Sequence, residues 1–349
     1  MNKNRRIVII GGGVAGLAAA EALAENELPC VVVEKETTLG GHVRKWACTA
    51  TDRCLGCYCC KVDDLTHSVR SSDKISVELG WQVSQLVRES SKIHKVRLRS
   101  VENGTEKLID ACAVIVAIGF EPYDPTEKIF WGYRRLKGVA TLAELNQWVQ
   151  TDSLKSFVSD ESQPLRVAFL QCIGSRDTSI GANYCSEYCC SSALRMALNL
   201  CHDHPRWDVT LFYIDLQMAD KMAAALKQDA QRQGIHFVQG TPGEIVQTGE
   251  GKLSVVSARN GLNVREEFDK IVLSTGQRPA GDTKTLAEIL GLELDQFGFI
   301  AASTSWSAGR TDAPGVYVAG TCRAPGSIQK SLLSAGNAAA AIIADYLSL

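Results

Sequence analysis

The chain has 349 residues, 45% of them hydrophobic and 22% charged, and a formal net charge of −2. This is the balance of an ordinary globular chain long enough for two domains, and it gives no electrostatic ground for nucleic acid or an anionic membrane surface as partner. Thirteen cysteines, an odd number and clustered, argue against a secreted disulfide framework and for metal or redox use in a reducing compartment, read here as the cytoplasm.

The first predicted element is a buried strand, Arg6-Ile7-Val8-Ile9-Ile10, whose branched run does not alternate. It enters Gly11-Gly12-Gly13-Val14-Ala15-Gly16 and then a small-residue helix, Leu17 to Glu25. Gly11, Gly13 and Gly16 fit G-x-G-x-x-G. The first permits a tight turn, the second lets the backbone approach a pyrophosphate, and the third lets helix pack on strand. A second strand, Cys30 to Val33, ends in Glu34, an acid placed to bind a ribose hydroxyl. Strand, glycines, helix, strand and acid in this order predict a dinucleotide site that includes Val14, Ala15 and Lys35. The unit alone leaves FAD and NAD open.

Gly40-Gly41-His42 supplies a second approach to the cofactor, through Gly41 and His42. Next comes a cysteine-rich stretch, Cys48, Cys54, Cys57, Cys59 and Cys60. It reads as a second metal site, part of a shared site, or a reactive loop. Strands around Ile75–Val87, Lys92–Arg99 and Lys107–Ile118 predict an antiparallel meander, with Val83 beside an adenine. The meander closes at Ala117-Ile118-Gly119, a turn where Ala117 and Gly119 pass a nucleotide. Phe130 to Trp148 reads as a connector. It holds a helix start near Thr141, an N-cap with Glu144 three residues on. Ser153 to Pro164 reads as a linker.

A second βαβ pattern follows: strand Leu165–Leu170, helix Tyr188–His202 and strand Trp207–Ile214. Helix Gln217–Gln233 and strands at Ile235–Val238, Lys252–Ala258 and Phe268–Ser274 complete it. Its phosphate loop lacks the glycines, since Gln171-Cys172-Ile173-Gly174-Ser175 stands in their place. Four thiols occupy this region, Cys172, Cys185, Cys189 and Cys190, in the order C-x12-C-x3-C-C. Thiolates hold iron–sulfur clusters, and four suit one [4Fe–4S] cube at a helix start that favours an anion. Buried free cysteines or a zinc site are the competing readings.

Near the end, Gly315-Val316-Tyr317-Val318-Ala319-Gly320-Thr321 is a strand ending in glycine. A helix begins near Ile328, after Pro325-Gly326-Ser327. Such a helix start can stabilise negative charge on a flavin's pyrimidine edge, which favours FAD. It places Gly320, Thr321, Ser327, Ile328 and Gln329 at the cofactor. The longest apolar run there, Ala338–Ile343, is far short of a membrane span.

The G-x-G-x-x-G motif, Phe-Trp-Gly-Tyr-Arg-Arg at 130–135, Gln-Cys-Ile-Gly-Ser-Arg-Asp at 171–177 and Tyr-Cys-Ser-x-x-Cys-Cys at 184–190 occur in one order. Together they resemble the A subunit of heterodisulfide reductase, and most closely that of the heterodisulfide-reductase-like complex of sulfur oxidisers. The resemblance runs from about Arg5 to Ala344. It implies an α/β, two-domain, thioredoxin-reductase-like flavoprotein. A Rossmann-type FAD domain (1–150 and 280–349) would carry an inserted, cluster-bearing, nucleotide-binding-like domain (151–279). It further implies FAD, one cluster on Cys172, Cys185, Cys189 and Cys190, a homodimer, and B- and C-type partner subunits. Arg195 stands where relatives tend to have a lysine near the flavin. The ferredoxin-like cassettes of methanogen relatives are not in this sequence, and bifurcation is not carried over.

The expected function is that of an oxidoreductase component relaying electrons between FAD and the cluster, in sulfur oxidation. The sulfur chemistry would lie on partner subunits, with no acid–base or nucleophilic residue in this chain. A stand-alone NAD(P)H-dependent disulfide reductase using Cys54 and Cys57 is the alternative. A zinc-stabilised FAD-binding module is a third reading.

Overall fold

The computed structural model describes residues 6–89, 92–218, 222–249, 251–259, 262–304 and 309–347. The chain divides into two compact units. The first comprises Met1–Arg44, Tyr58–Glu121 and Arg278–Leu349; the second comprises Lys45–Cys57 and Pro122–Gln277.

The first unit is built on a sheet whose centre is parallel. Strand β1 (Arg6–Ile10) pairs with β2 (Cys30–Glu34) on one side and with β6 (Glu106–Val116) on the other. β2 also pairs parallel with β3 (Ile75–Leu79). Both central strands are buried, as their unalternating Val/Ile runs require when each face is covered. The predicted strand 75–87 is broken at Gly80, whose positive φ turns the chain. Beyond it β4 (Trp81–Glu89) runs antiparallel to β5 (Lys92–Ser100), and β5 to β6, which is the expected meander. Helices α1 (Val14–Glu25) and α2 (Lys61–Ser71) belong to this unit, and β7 (Phe120–Pro122) leads the chain out of it.

The second unit has its own parallel sheet. β8 (Val139–Thr141), β9 (Arg166–Ile173), β10 (Asp208–Tyr213), β11 (His236–Gln239) and β15 (Lys270–Thr275) lie in the order β11-β10-β9-β15-β8. Helix α3 (Leu142–Gln150) starts on a complete capping box. Thr141 Oγ1 accepts from Glu144 N at 3.2 Å, and Glu144 Oε2 accepts from Thr141 N at 2.8 Å. Helix α4 (Cys189–Asp203) buries most of its length in a core with Phe169, Leu211 and Val272. Helix α5 (Ala223–Arg232) forms the later part of the predicted 217–233 helix, of which 219–221 lie outside the described residues. A separate antiparallel sheet holds β12 (Thr241–Gln247), β13 (Leu253–Arg259) and β14 (Leu262–Phe268).

β16 (Gln277–Pro279) returns the chain to the first unit. There α6 (Thr283–Leu290), β17 (Val316–Val318) and α7 (Ile328–Leu347) complete it, with β17 parallel to β6 and α7 packed on α1. Residues 122–150, which the sequence groups with the first unit, pack in the second. The reason is β8, which pairs parallel with β15. Among the described residues, no helix is long and apolar enough to cross a membrane.

Candidate functional site

In the first unit the glycines form an open cradle at the carboxyl end of β1. Gly11 takes a φ of +108°, and a Cβ there would stand 2.4 Å from the Ala117 carbonyl oxygen. A Cβ on Gly16 would stand 1.9 Å from the Gly11 carbonyl oxygen, so helix and loop touch only because it is absent. Gly40 N donates to Gly12 O at 2.8 Å, and Gly41 lies against Gly13. A Cβ on Gly13 would meet nothing within 4 Å, so that face of the loop is free for a ligand. The buried Glu34 carboxylate ends β2 beside the loop, where it accepts from Gly12 N at 2.6 Å and from Glu36 N at 2.9 Å.

Next to this cradle lies a cavity of about 280 Å³, lined by Gly11, Glu34, Lys35, Trp81, Val83 and Asp282 among others. Lys35 Nζ pairs with Asp282 Oδ2 at 2.9 Å. Asp282 Oδ1 is buried with no hydrogen-bond partner among the described residues, which suits a polar ligand. Asp282 and Trp81 were not predicted. The only local signal for Asp282 is an acid placed just before a helix.

Of the other predicted residues, Gly320 packs against the first turn of α1 and Thr321 lies beside Gly119. A Cβ on Gly320 would stand 2.6 Å from Ala15 Cβ, and one on Gly119 would stand 3.9 Å from Thr321 Oγ1. Thr321 is buried, as is Val14 in the first turn of α1. Ser327 caps α7, its Oγ accepting from Lys330 N at 3.3 Å. Ile328 and Gln329 follow, the first buried and the second exposed. His42 is exposed, and its Nε2 lies 2.8 Å from the Phe120 carbonyl oxygen. The donor set, the open Gly13 face and the orphaned carboxylate oxygen fit a dinucleotide.

In the second unit β9 runs into a loop whose backbone is forced. Cys172, Arg176 and Glu187 all have positive φ, three of the seven non-glycine residues that do so among those described. Such values cost of order 1 kcal/mol each and concentrate where geometry is functional. Ser175 N donates to Cys172 O at 3.3 Å, and Gly174 leaves room for the Tyr123 ring. Arg176 N donates to Tyr184 O at 2.9 Å, and Tyr184 OH donates to Gln277 O at 2.9 Å. Glu187 N points at Cys185 Sγ, 3.3 Å away. Tyr188 OH donates to Thr275 O at 2.8 Å and sets the start of α4, whose first residues are Cys189 and Cys190. Cys190 Sγ donates to Asp215 O at 3.8 Å.

The four thiols share one electrostatic neighbourhood. Burial pushes the Cys172 thiol up to about 12, and the charges of Cys190 and Cys185 push the same way. Burial also drives Cys189 well up, helped by Cys190, Cys172 and Cys185, and it raises Cys190. Four thiolates so placed repel one another, and a positive core among them would reverse the balance. Among the described residues, no group of three or more His, Cys, Asp or Glu is placed to hold a metal ion.

Arg195, expected at the cofactor, is buried in α4, and its Nε donates to Leu55 O at 2.9 Å within the second unit. Asn199 Nδ2 donates to Ala50 O at 3.1 Å, and Trp46 stacks on Tyr188 with centroids 6.1 Å apart. These bonds fasten the loop of Cys48, Cys54 and Cys57 to α4. Cys59 and Cys60 belong to the first unit, at the start of α2. The second cysteine stretch is therefore divided between the units.

The family model described as pyridine nucleotide-disulphide oxidoreductase matches residues 5–341. The chain is 34% identical over 240 residues to the A subunit of the H(2):CoB-CoM heterodisulfide,ferredoxin reductase of Methanothermobacter marburgensis, a match covering 66% of this chain and 36% of that protein. It is 28% identical over 426 aligned residues to the A subunit of the ferredoxin/F(420)H(2)-dependent CoB-CoM heterodisulfide reductase of Methanosarcina acetivorans, covering 99% and 53%. The chain thus spans between about a third and about a half of the length of these relatives. Among solved structures, the thioredoxin reductases of T. acidophilum and Lactococcus lactis each superpose with a TM-score of 0.63. They are 19% and 20% identical, and the match covers 98% and 99% of this chain and 98% and 100% of theirs. At that identity they establish the two-domain fold.

Proposed function

We propose that this chain, which belongs to the pyridine nucleotide-disulphide oxidoreductase family, is a flavin-dependent electron-transfer component of a heterodisulfide-reductase-type complex. What supports this reading is the placement of the cysteines: Cys172 lies on β9 and Cys189 and Cys190 open α4, where a second phosphate loop would be, in a chain similar to A subunits of heterodisulfide reductases. In this reading Cys172, Cys185, Cys189 and Cys190 hold one [4Fe–4S] cluster, and the glycine cradle and its cavity hold FAD. FAD, when bound, takes or gives electrons singly or in pairs, and the cluster passes them singly.

The chain's own residues do the holding. Gly11, Gly13 and Gly41 let backbone approach the pyrophosphate, and Glu34 and Asp282 offer carboxylate oxygens to the ribose side. Lys35 and Val83 line the cavity. Gly119, Gly320, Thr321 and the capped start of α7 would hold the flavin ring. Without the other glycines, the β9 loop gives a nicotinamide dinucleotide no such backbone approach. The protein would work as a homodimer with B- and C-type partners, serving oxidation of protein-bound sulfur.

The test is anaerobic purification with iron, acid-labile sulfide and flavin quantitation. Flavin with equimolar cluster is expected. Serine at any of the four cysteines should remove iron and leave flavin bound. A yellow, iron-free, fully flavinated parent chain would overturn the reading, and zinc without sulfide would favour a structural ion. Flavin bleaching by NADPH that depends on Cys54 or Cys57 would favour the stand-alone disulfide reductase.

A further inference from the structure

We propose that Ser175 and Arg176 set the reduction potential of the centre held by the four thiols, the hydroxyl as a hydrogen-bond donor to sulfur and the guanidinium as a fixed positive charge. The proposal rests on the reading that Cys172, Cys185, Cys189 and Cys190 hold a cluster.

Ser175 carries the first observation. It is 1% exposed, and its Oγ has no hydrogen-bond partner among the described residues. A buried hydroxyl left in this state is costly. The turn that closes with Ser175 N on Cys172 O holds it three residues from the first thiol. On its other side it is packed close. A Cβ on Gly276 would stand 2.8 Å from Ser175 Cβ and 2.9 Å from Ser186 Oγ. Ser186 Oγ already accepts from Gln277 N at 2.9 Å, which ties that flank of the loop to β16. The orphan donor therefore belongs to the loop that presents the thiols; none of the four cysteine sulfurs accepts from it, and in this proposal a sulfur of the bound centre does.

Arg176 carries the second. Its backbone is held in the left-handed region and bonded to Tyr184 O, the residue before Cys185. Its guanidinium pairs with Asp215, whose carbonyl oxygen accepts from Cys190 Sγ. The pair thus spans from the Cys172 turn to the Cys190 side.

Reduction adds one electron, and so one negative charge, to the centre. A donor on sulfur and a fixed cation both favour the reduced form, and a nearby carboxylate opposes it. The two charges of the Arg176–Asp215 pair should therefore act with opposite signs. A role confined to holding the loop would predict the same sign for both, since removing either partner breaks the same ion pair.

The experiment is a mediator titration of the full, cluster-loaded chain with dithionite as electron source, followed by electron paramagnetic resonance. R176Q should shift the one-electron equilibrium toward the oxidised form about tenfold, which is 59 mV. S175A should shift it the same way several-fold, D215N should shift it the opposite way, and R176K should recover most of the parent value. Unchanged potentials in R176Q and S175A, with iron and sulfide at parent levels, would overturn the proposal while leaving the cluster reading intact. A common direction for R176Q and D215N would also overturn it. A parent chain without iron would overturn both. Should R176Q lose its iron, S175A and D215N carry the test.

Discussion

Gly13 and Gly16 separate binding from folding, although both belong to one motif. Gly13 has a φ of −79° and a ψ of −178°, extended values that any residue adopts, and a Cβ there would meet nothing within 4 Å. Gly13→Ala should leave the flavin-free chain within about 0.5 kcal/mol of the parent. The reason is that an entropy gain of about 0.4–1 kcal/mol offsets the poorer N-cap. The same methyl would stand on the open face where a pyrophosphate must approach. Overpacking of this kind costs about 1–3 kcal/mol, so FAD affinity should fall roughly 5- to 150-fold. Gly16→Ala is the reverse case. Its Cβ would lie 1.9 Å from the Gly11 carbonyl oxygen, a backbone atom that cannot yield without moving α1 off β1. It should destabilise the flavin-free chain by at least about 1–3 kcal/mol. Urea unfolding of the flavin-free proteins and titration with FAD by fluorescence quenching measure the two effects separately. A Gly13→Ala chain that binds FAD within twofold of the parent, or a Gly16→Ala chain that unfolds with the parent, would refute the reasoning.

Thr141→Ala removes the capping box of α3 and should cost about 1 kcal/mol in urea unfolding, with no change in bound iron or flavin. Burial pushes the Cys30 and Cys322 thiols up to about 12 from an ordinary value of 9.0, so mass-mapped alkylation at pH 8 should spare both and label the exposed Cys48 and Cys54 first. Because the unfolded chain releases those protons first, the stability they contribute is full below about pH 9. It is lost as the pH rises toward about 12, and Cys30→Ala should flatten that decline. Cys172→Gly should make the iron-free chain about 1 kcal/mol more stable than Cys172→Ala, since only glycine takes a φ of +62° without strain; equal unfolding midpoints would count against strain at this position.

The elements that were legible in the sequence are those whose cause is local. The β1–glycine–α1–β2–Glu34 order is written in a branched apolar run and in spacings of two and three residues. The α3 capping box is written in Thr141 and Glu144. What was not legible depends on partners far away in the chain. Val139–Thr141 is three residues long, too short for any periodicity, and its pairing with Lys270–Thr275, with Leu145 and Trp131 buried in that unit's cores, draws residues 122–150 into the second unit. The loop of Cys48, Cys54 and Cys57 is assigned to that unit by Arg195 and Asn199, side chains bonded to carbonyls 140 and 149 residues away.

That contrast bears on what the loop after β9 is for. Local propensity would put glycine at a left-handed position, yet Cys172, Arg176 and Glu187 all hold that conformation within one short stretch. A loop selected only to connect β9 to α4 would relieve such strain at little cost, because glycine removes it and nothing in a connector needs a side chain there. Here two of the three strained positions are a thiol of the constellation and the cation beside it. The third is Glu187, whose N–H points at Cys185 Sγ. Between the first two, the glycine at Gly174 is kept where the Tyr123 ring leaves no room for a Cβ. A loop that keeps three side chains at positions glycine would relax holds residues chosen for something other than connection.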